Sequence, residues 1–193
     1  NPTNVVTVSS TGTLKISTAP SNPIKKAVYW GQTDALFTVY RFRATDEAFL
    51  IERLNVITAS GGEVVASATA NVDKVKVKYT NKAGTAMTAE ASLDATNGSA
   101  SFGFTGDNRP YVPKDSTLDV EIYANIKAKS GRTGTALSTL GSEEMFSLDL
   151  SSGATNEFRA IGDGSGTLIE GNNSNIANAT TGNNHVIYRV FPE

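Results

Sequence analysis

The sequence contains no cysteine, and it holds one histidine, one tryptophan and two methionines in 193 residues. Without cysteine there is no disulfide framework, thiolate metal site, iron–sulfur cluster or cysteine nucleophile. Aromatic residues make up 8% of the chain, a poor supply for a cleft that stacks sugars. No apolar run approaches the roughly 20 residues of a membrane helix, which argues against membrane insertion. Neither sign of charge prevails: 17 Lys and Arg stand against 19 Asp and Glu, for a formal net charge of -2. That balance leaves no basic footprint for nucleic acid.

What the chain has in quantity is Thr, Ser, Ala, Asn and Gly, whereas Leu, Glu, Lys and Met are thin, so extended structure is favoured over helix. At this length folding buries about 70% of the surface of the unfolded chain, enough for a core that needs no covalent staple. The chain begins at Asn1, as a secretory precursor does after cleavage, although any trimmed chain starts the same way. The expectation is an exported protein, extracellular or at the cell surface.

Period-2 alternation supplies most of the elements. Leu118, Val120, Ile122, Ala124 and Ile126 alternate with Asp119, Glu121 and Asn125. Val75, Val77 and Tyr79 alternate with Lys74, Lys76 and Lys78, whose side chains read as a solvated face. Leu36 to Ala44 and Phe49 to Ile57 flank Thr45-Asp46-Glu47 and read as paired or neighbouring strands. Further strands are expected over 87–93, 100–104 and 146–150, separated by turn signals such as Asn81-Lys82-Ala83-Gly84, Asn97-Gly98 and Ser130-Gly131. Short strands with a turn every ten or so residues indicate an all-β, antiparallel sandwich of about seven to nine strands. Phe42, Leu54, Val56, Val77, Phe104, Val120, Ile122 and Leu148 are expected to share its core.

The ends differ from this middle, which suggests three parts. Residues 1–23 form an arm with strand-like pieces, closed by Pro20 and Pro23. Residues 24–150 form the sandwich. Residues 151–193 form a Gly/Asn/Ser-rich tract that ends in a strand from Val186 to Phe191, packing on or extending the sandwich.

From Leu36 to Leu150 the order of these pieces resembles the immunoglobulin-like β-sandwich modules of bacterial cell-surface and S-layer-type proteins, notably those of small-genome uncultivated bacteria. The resemblance is carried by Tyr40-Arg41-Phe42-Arg43-Ala44-Thr45, Ile51-Glu52-Arg53-Leu54-Asn55-Val56, Val72-Asp73-Lys74-Val75-Lys76-Val77 and Phe102-Gly103-Phe104. It also rests on Val112-Pro113-Lys114-Asp115-Ser116-Thr117-Leu118. It implies an immunoglobulin-like fold and a structural role at a surface. A single module with long arms departs from the family's strings of modules and points to an assembling subunit.

The chemistry is sparse. His185 is the only base a Ser-His-Asp triad has available, and the chain holds no Gly-x-Ser-x-Gly elbow. The acid pairs Asp46/Glu47 and Glu143/Glu144 are sequence neighbours, not carboxyls set across a cleft. No enzymatic activity is expected. Gly162-Asp163-Gly164-Ser165-Gly166-Thr167 lacks phosphate-loop spacing and reads as a flexible or turn-rich loop. Calcium is the one cofactor for which the chain offers ligands: Asp46, Glu47, Asp107, Asn108 and Asp115 in sandwich-end loops, with Asp73 and Asp163 as further oxygens. Sequons occur at Asn97, Asn172 and Asn178.

The expected function is therefore that of a structural subunit of an extracellular or cell-surface filament, tube or surface layer. Its partners are copies of itself, joined head to tail by strand exchange. Val6, Val8, Leu14 and Ile16 are apolar at even spacing and form the donor face of the N-terminal arm, with the C-terminal strand as the alternative donor. Two other readings compete. A module binding a surface glycan or a host surface would expose Trp30 with Tyr29 and Tyr40, and a viral or phage shell protein would share the fold and the polymerising habit.

Overall fold

The computed structural model describes residues 11–24, 26–60, 63–64, 71–128, 144–151, 154–171, 173 and 185–188. In chain order the strands are β1 (Thr13–Thr18), β2 (Ala27–Tyr29), β3 (Ala35–Thr45), β4 (Phe49–Ser60), β5 (Glu63–Val64), β6 (Val72–Thr80) and β7 (Ala86–Ala91). They continue with β8 (Ser99–Gly103), β9 (Tyr111–Val112), β10 (Thr117–Ile126), β11 (Glu144–Ser151), β12 (Arg159–Gly162), β13 (Leu168–Glu170) and β14 (His185–Tyr188). The protein is nearly all-β, with almost no helix. Its pairings are antiparallel except for β2 with β14.

One sheet has five strands in the order β1-β3-β10-β6-β7. The second has nine, built around β4, the longest strand. β12 and then β11 run along one edge of β4, with β9, β8 and β5 along the other. β13, β14 and β2 complete this sheet. Side chains of both sheets share one core, which holds all eight of the expected residues from Phe42 to Leu148. Across the gap the rings of Phe42 and Phe158 stack with centroids 6.1 Å apart, and Tyr79 meets Phe104 edge-on at 5.1 Å. Two polar stitches cross as well: the Thr38 hydroxyl donates to the Leu148 carbonyl at 2.8 Å, and the Leu150 N–H donates to the Tyr40 hydroxyl oxygen at 3.2 Å. Each satisfies a main-chain group that β11 leaves open within the core.

The structure departs from the sequence reading in several places. β3 and β4 are neither paired nor neighbours, because the chain crosses from one sheet to the other at 46–48. Both runs are apolar enough to be central strands, and periodicity does not say in which sheet. The lysine stripe of β6 is more than a solvated face. Lys76 bridges Asp34 at 3.0 Å and Glu90 at 3.2 Å, and the Lys78 ammonium lies 4.1 Å from the centre of the Tyr123 ring. The tract after residue 151 supplies a hairpin, β12–β13, whose Phe158, Ala160 and Ile169 enter the core.

Two bulges adjust which side chains face inward. Opposite Ile122 and Tyr123 of β10 the register skips Phe37, so Ala35 and Phe37 before the bulge and Thr38, Tyr40 and Phe42 after it are all buried. A second skip, between Arg159 and Ala160, leaves Glu52 without a partner on β12. Glu52 and Arg53 are then both partly exposed between buried Ile51 and Leu54.

Candidate functional site at the N-terminal strand

β1 forms because Leu14 and Ile16 alternate with Thr13, Lys15 and Ser17, giving a strand with one apolar face. It pairs with β3 of the same chain over its whole length, from Thr13 opposite Thr45 to Thr18 opposite Tyr40. Leu14 is fully buried and Ile16 nearly so. These two residues, expected to wait for a neighbouring subunit, thus fill the core of their own chain. Val6 and Val8 lie outside the described residues, as do residues 189–191 of the alternative donor. β14, the described part of that donor, pairs with β11 and β2.

The N-terminal end of β1 is fastened by Glu47. This side chain is 9% exposed, in the turn that carries the chain between sheets. Its carboxylate accepts hydrogen bonds from the Gly164 N–H at 2.9 Å, from the Ser165 hydroxyl at 2.8 Å and from the Ser165 and Gly12 N–H groups. Burial alone would raise its pKa. The donors from Ser165, Gly164 and Gly12 outweigh burial and hold the carboxyl below its ordinary value. Glycine is needed on two sides of it: a Cβ on Gly162 would come within 2.5 Å of the carboxylate oxygen, and one on Gly12 within 2.5 Å of the Glu47 Cβ. Of the two forms expected for the segment 162–167, it is the turn-rich one, a hairpin loop clamped on Glu47. The Asp163 N–H donates to Ala48 O at 2.9 Å, and the Asp163 carboxylate holds Lys82 at 2.7 Å.

The calcium candidates are not gathered. Glu47 is committed to N–H and O–H donors, which an ion would have to displace. Asp46 and Asp115 do meet, through the Asp46 N–H and an Asp115 carboxylate oxygen at 2.8 Å. The carbonyls of Asp107 and Asn108 instead accept from Asn81 and Tyr79. Among the described residues no three His, Cys, Asp or Glu side chains cluster closely enough to hold a metal ion. The aromatic trio is dispersed too: Tyr40 is wholly buried, Trp30 is half-buried against the core and Tyr29 is 48% exposed. Sequons at Asn172 and Asn178, and Glu143, fall outside the described residues; Asn97 sits in the exposed turn before β8. The Glu47 clamp was missed, although Gly-Asp-Gly-Ser-Gly offered the signal: consecutive N–H groups free of side chains make a concavity for an anion, here an internal one.

No protein-family model matches the chain, and no curated protein matches it. Among solved structures it is similar to a family 123 glycoside hydrolase from Clostridium perfringens, with a TM-score of 0.39 and 8% identity over 93% of this chain and 28% of that one. It is also similar to AvmM, which catalyses macrocyclization in alchivemycin A biosynthesis, with a TM-score of 0.35 and 10% identity over 94% of this chain and 90% of that one. The chain thus spans a little over a quarter of the hydrolase. At scores this low neither protein's activity is carried over.

Proposed function

We propose that this chain is a non-enzymatic structural subunit of an extracellular or cell-surface assembly, an immunoglobulin-like sandwich that links its copies by exchanging β1. The observation that carries the reading is the place of β1: it is an edge strand that contributes Leu14 and Ile16 to the core, and among the described residues its only ladder is with β3. An identical strand from a second copy makes the same bonds and buries the same side chains, so exchange costs little in contacts. The connection from β1 to β2 suits a hinge. It contains Pro20 and Pro23, and beyond the anchored Ala19 and Asn22 it exposes 81% of Ile24. Because donor and acceptor surfaces differ, the contact is head to tail and need not close, which gives a filament or tube.

Deletion of residues 1–18 tests the reading. The truncated chain is expected to lose polymers in electron micrographs and to melt at lower temperature, because it leaves the Leu14 and Ile16 sites empty. A synthetic peptide of residues 11–18 should restore the melting temperature in trans. Polymers of normal appearance from the truncated chain would overturn the assignment.

A further inference from the structure

The second bulge lies beside a feature that the assembly reading does not use. An open cleft of about 460 Å³ is lined by Glu52, Arg53, Arg109 and Arg159 together with the segment 103–106. Three guanidiniums and one carboxylate line it, and two of the guanidiniums bond the carboxylate. Arg109 Nη1 donates to Glu52 Oε1 at 3.2 Å and Arg159 Nε to Glu52 Oε2 at 2.9 Å, while Arg53 Nη1 donates to the Asn156 carbonyl at 3.1 Å. Arg109 Nε is spent on the Gly106 carbonyl at 3.0 Å. Both terminal nitrogens of Arg159 and the second terminal nitrogen of Arg109 have no protein partner among the described residues. The lining itself carries three positive charges against one negative, with the Glu170 carboxylate as a further neighbour of Arg159.

Three local rules are broken here. Arg159 and Arg53 are directly opposite one another on β12 and β4, a like-charge pair that destabilises a sheet. Glu170, the residue opposite Arg159 on β13, makes no ion pair with it. The bulge at Glu52 turns two consecutive side chains to the cleft side, a device that re-aims residues at binding sites. Opposite Arg53 on the other flank stands Gly103, in a strand where glycine is unfavourable. A Cβ there would meet nothing within 4 Å, so packing does not require the glycine. Like charges, a bulge and an unforced glycine at one place are what a site kept for a ligand looks like.

We infer that this cleft binds an anionic sugar, with its carboxylate or phosphate on the free forks of Arg159 and Arg109. Guanidinium forks pair with such oxyanions through two parallel hydrogen bonds. The volume falls in the range of small-molecule sites, about 300–1,000 Å³. Phe104 is buried beneath the cleft and offers no ring face, so recognition is polar throughout. The rest of the lining is Gly103, Thr105 and Gly106, small or hydroxylated residues that leave main chain uncovered, which suits a polyhydroxylated body.

Calorimetric titration of the full chain at low salt with glucuronate, glucose 6-phosphate, glucose and sodium sulfate tests the inference. One or both of the sugar anions should bind, and which of them binds separates a uronate from a phosphate source. Glucose should not bind, and sulfate should bind at least about tenfold more weakly than the preferred sugar anion. Arg159→Gln should weaken binding by at least about tenfold, the loss expected for a charge-assisted pair. Gly103→Val, at a lining position where a Cβ meets nothing within 4 Å, should do the same at an unchanged melting temperature. Sulfate binding as tightly as the sugars would reduce the cleft to a bare anion site and overturn the inference. Equal binding of glucose, no binding at all, or indifference to Gly103→Val would overturn it too.

Discussion

At the scale of single residues the most consequential side chain is Glu47, because one carboxylate joins Gly12, the crossing between sheets and the β12–β13 loop. Hydrogen bonds to a charged group contribute about 1.5–3 kcal/mol each, and leaving their partners buried without an acceptor costs a similar amount. Glu47→Gln replaces one acceptor oxygen with an NH₂ that faces donors. We expect a lower melting temperature at neutral pH. The sign of the pH dependence follows from the depressed pKa: the contribution is complete above the ordinary value of 4.5 and is lost as pH falls through the lower folded value. Wild-type stability should therefore drop on acidification in that window, and the Glu47→Gln variant should show a smaller drop. Equal acid sensitivity of the two proteins would show that Glu47 does not govern it.

Tyr123 makes the opposite case. Burial, then its hydrogen bond to Glu121 at 2.8 Å and that residue's charge, push its pKa up to about 12. The raised value favours the neutral phenol, so this contribution is intact below pH 10 and is lost as pH rises towards 12. In an alkaline absorbance titration the ionisation near pH 12 should be missing from Tyr123→Phe. If it remains, the late step belongs to another of the six tyrosines, of which Tyr79 is also raised by burial.

Strands carry most of what the sequence made legible. The alternation of 118–126 reappears as β10, with Leu118, Val120, Ile122, Ala124 and Ile126 buried, and all eight expected core residues lie in one cluster. Side-chain period reports which residues face inward, and it does so whatever the partner strand. It does not report pairing, which is why β3 and β4 were wrongly expected to be adjacent. Nor does it survive a bulge: the four consecutive buried residues Phe37, Thr38, Val39 and Tyr40 have no clean period to read. The hairpin β12–β13 was hidden for a different reason, since its Gly, Asp and Ser residues read as loop while few apolar side chains, Phe158, Ala160 and Ile169, join it to the core. Phe158→Ala is expected to cost about 3–5 kcal/mol in chemical denaturation, as does the loss of a buried core ring elsewhere. A loss under about 1 kcal/mol would mean that the hairpin unfolds apart from the sandwich.

For the whole molecule the question is whether β1 stays with its own sheet. In the proposed exchange, monomer and polymer would share the same β1–β3 ladder, so their relative populations would depend on concentration and on strain in the connection, not on new contacts. A disulfide that ties β1 to its own β3 removes the choice. Lys15 and Arg43 are directly opposite in the ladder and both side chains are exposed, so Lys15→Cys with Arg43→Cys places two thiols across the pair without touching the core. The chain contains no other cysteine, so the bond joins positions 15 and 43, within one chain when protein purified as monomer is oxidised. If exchange of β1 builds the proposed assembly, the wild type should polymerise, the oxidised and locked protein should remain monomeric at the same concentration, and a reductant should release it to polymerise. Its core keeps Leu14 and Ile16 throughout, so loss of assembly cannot be ascribed to a damaged fold, as it can for the deletion of residues 1–18. Oxidised, monomer-purified protein that still builds wild-type polymers would assign assembly to the C-terminal strand or to contacts between intact surfaces, and would end the case for β1 as the donor.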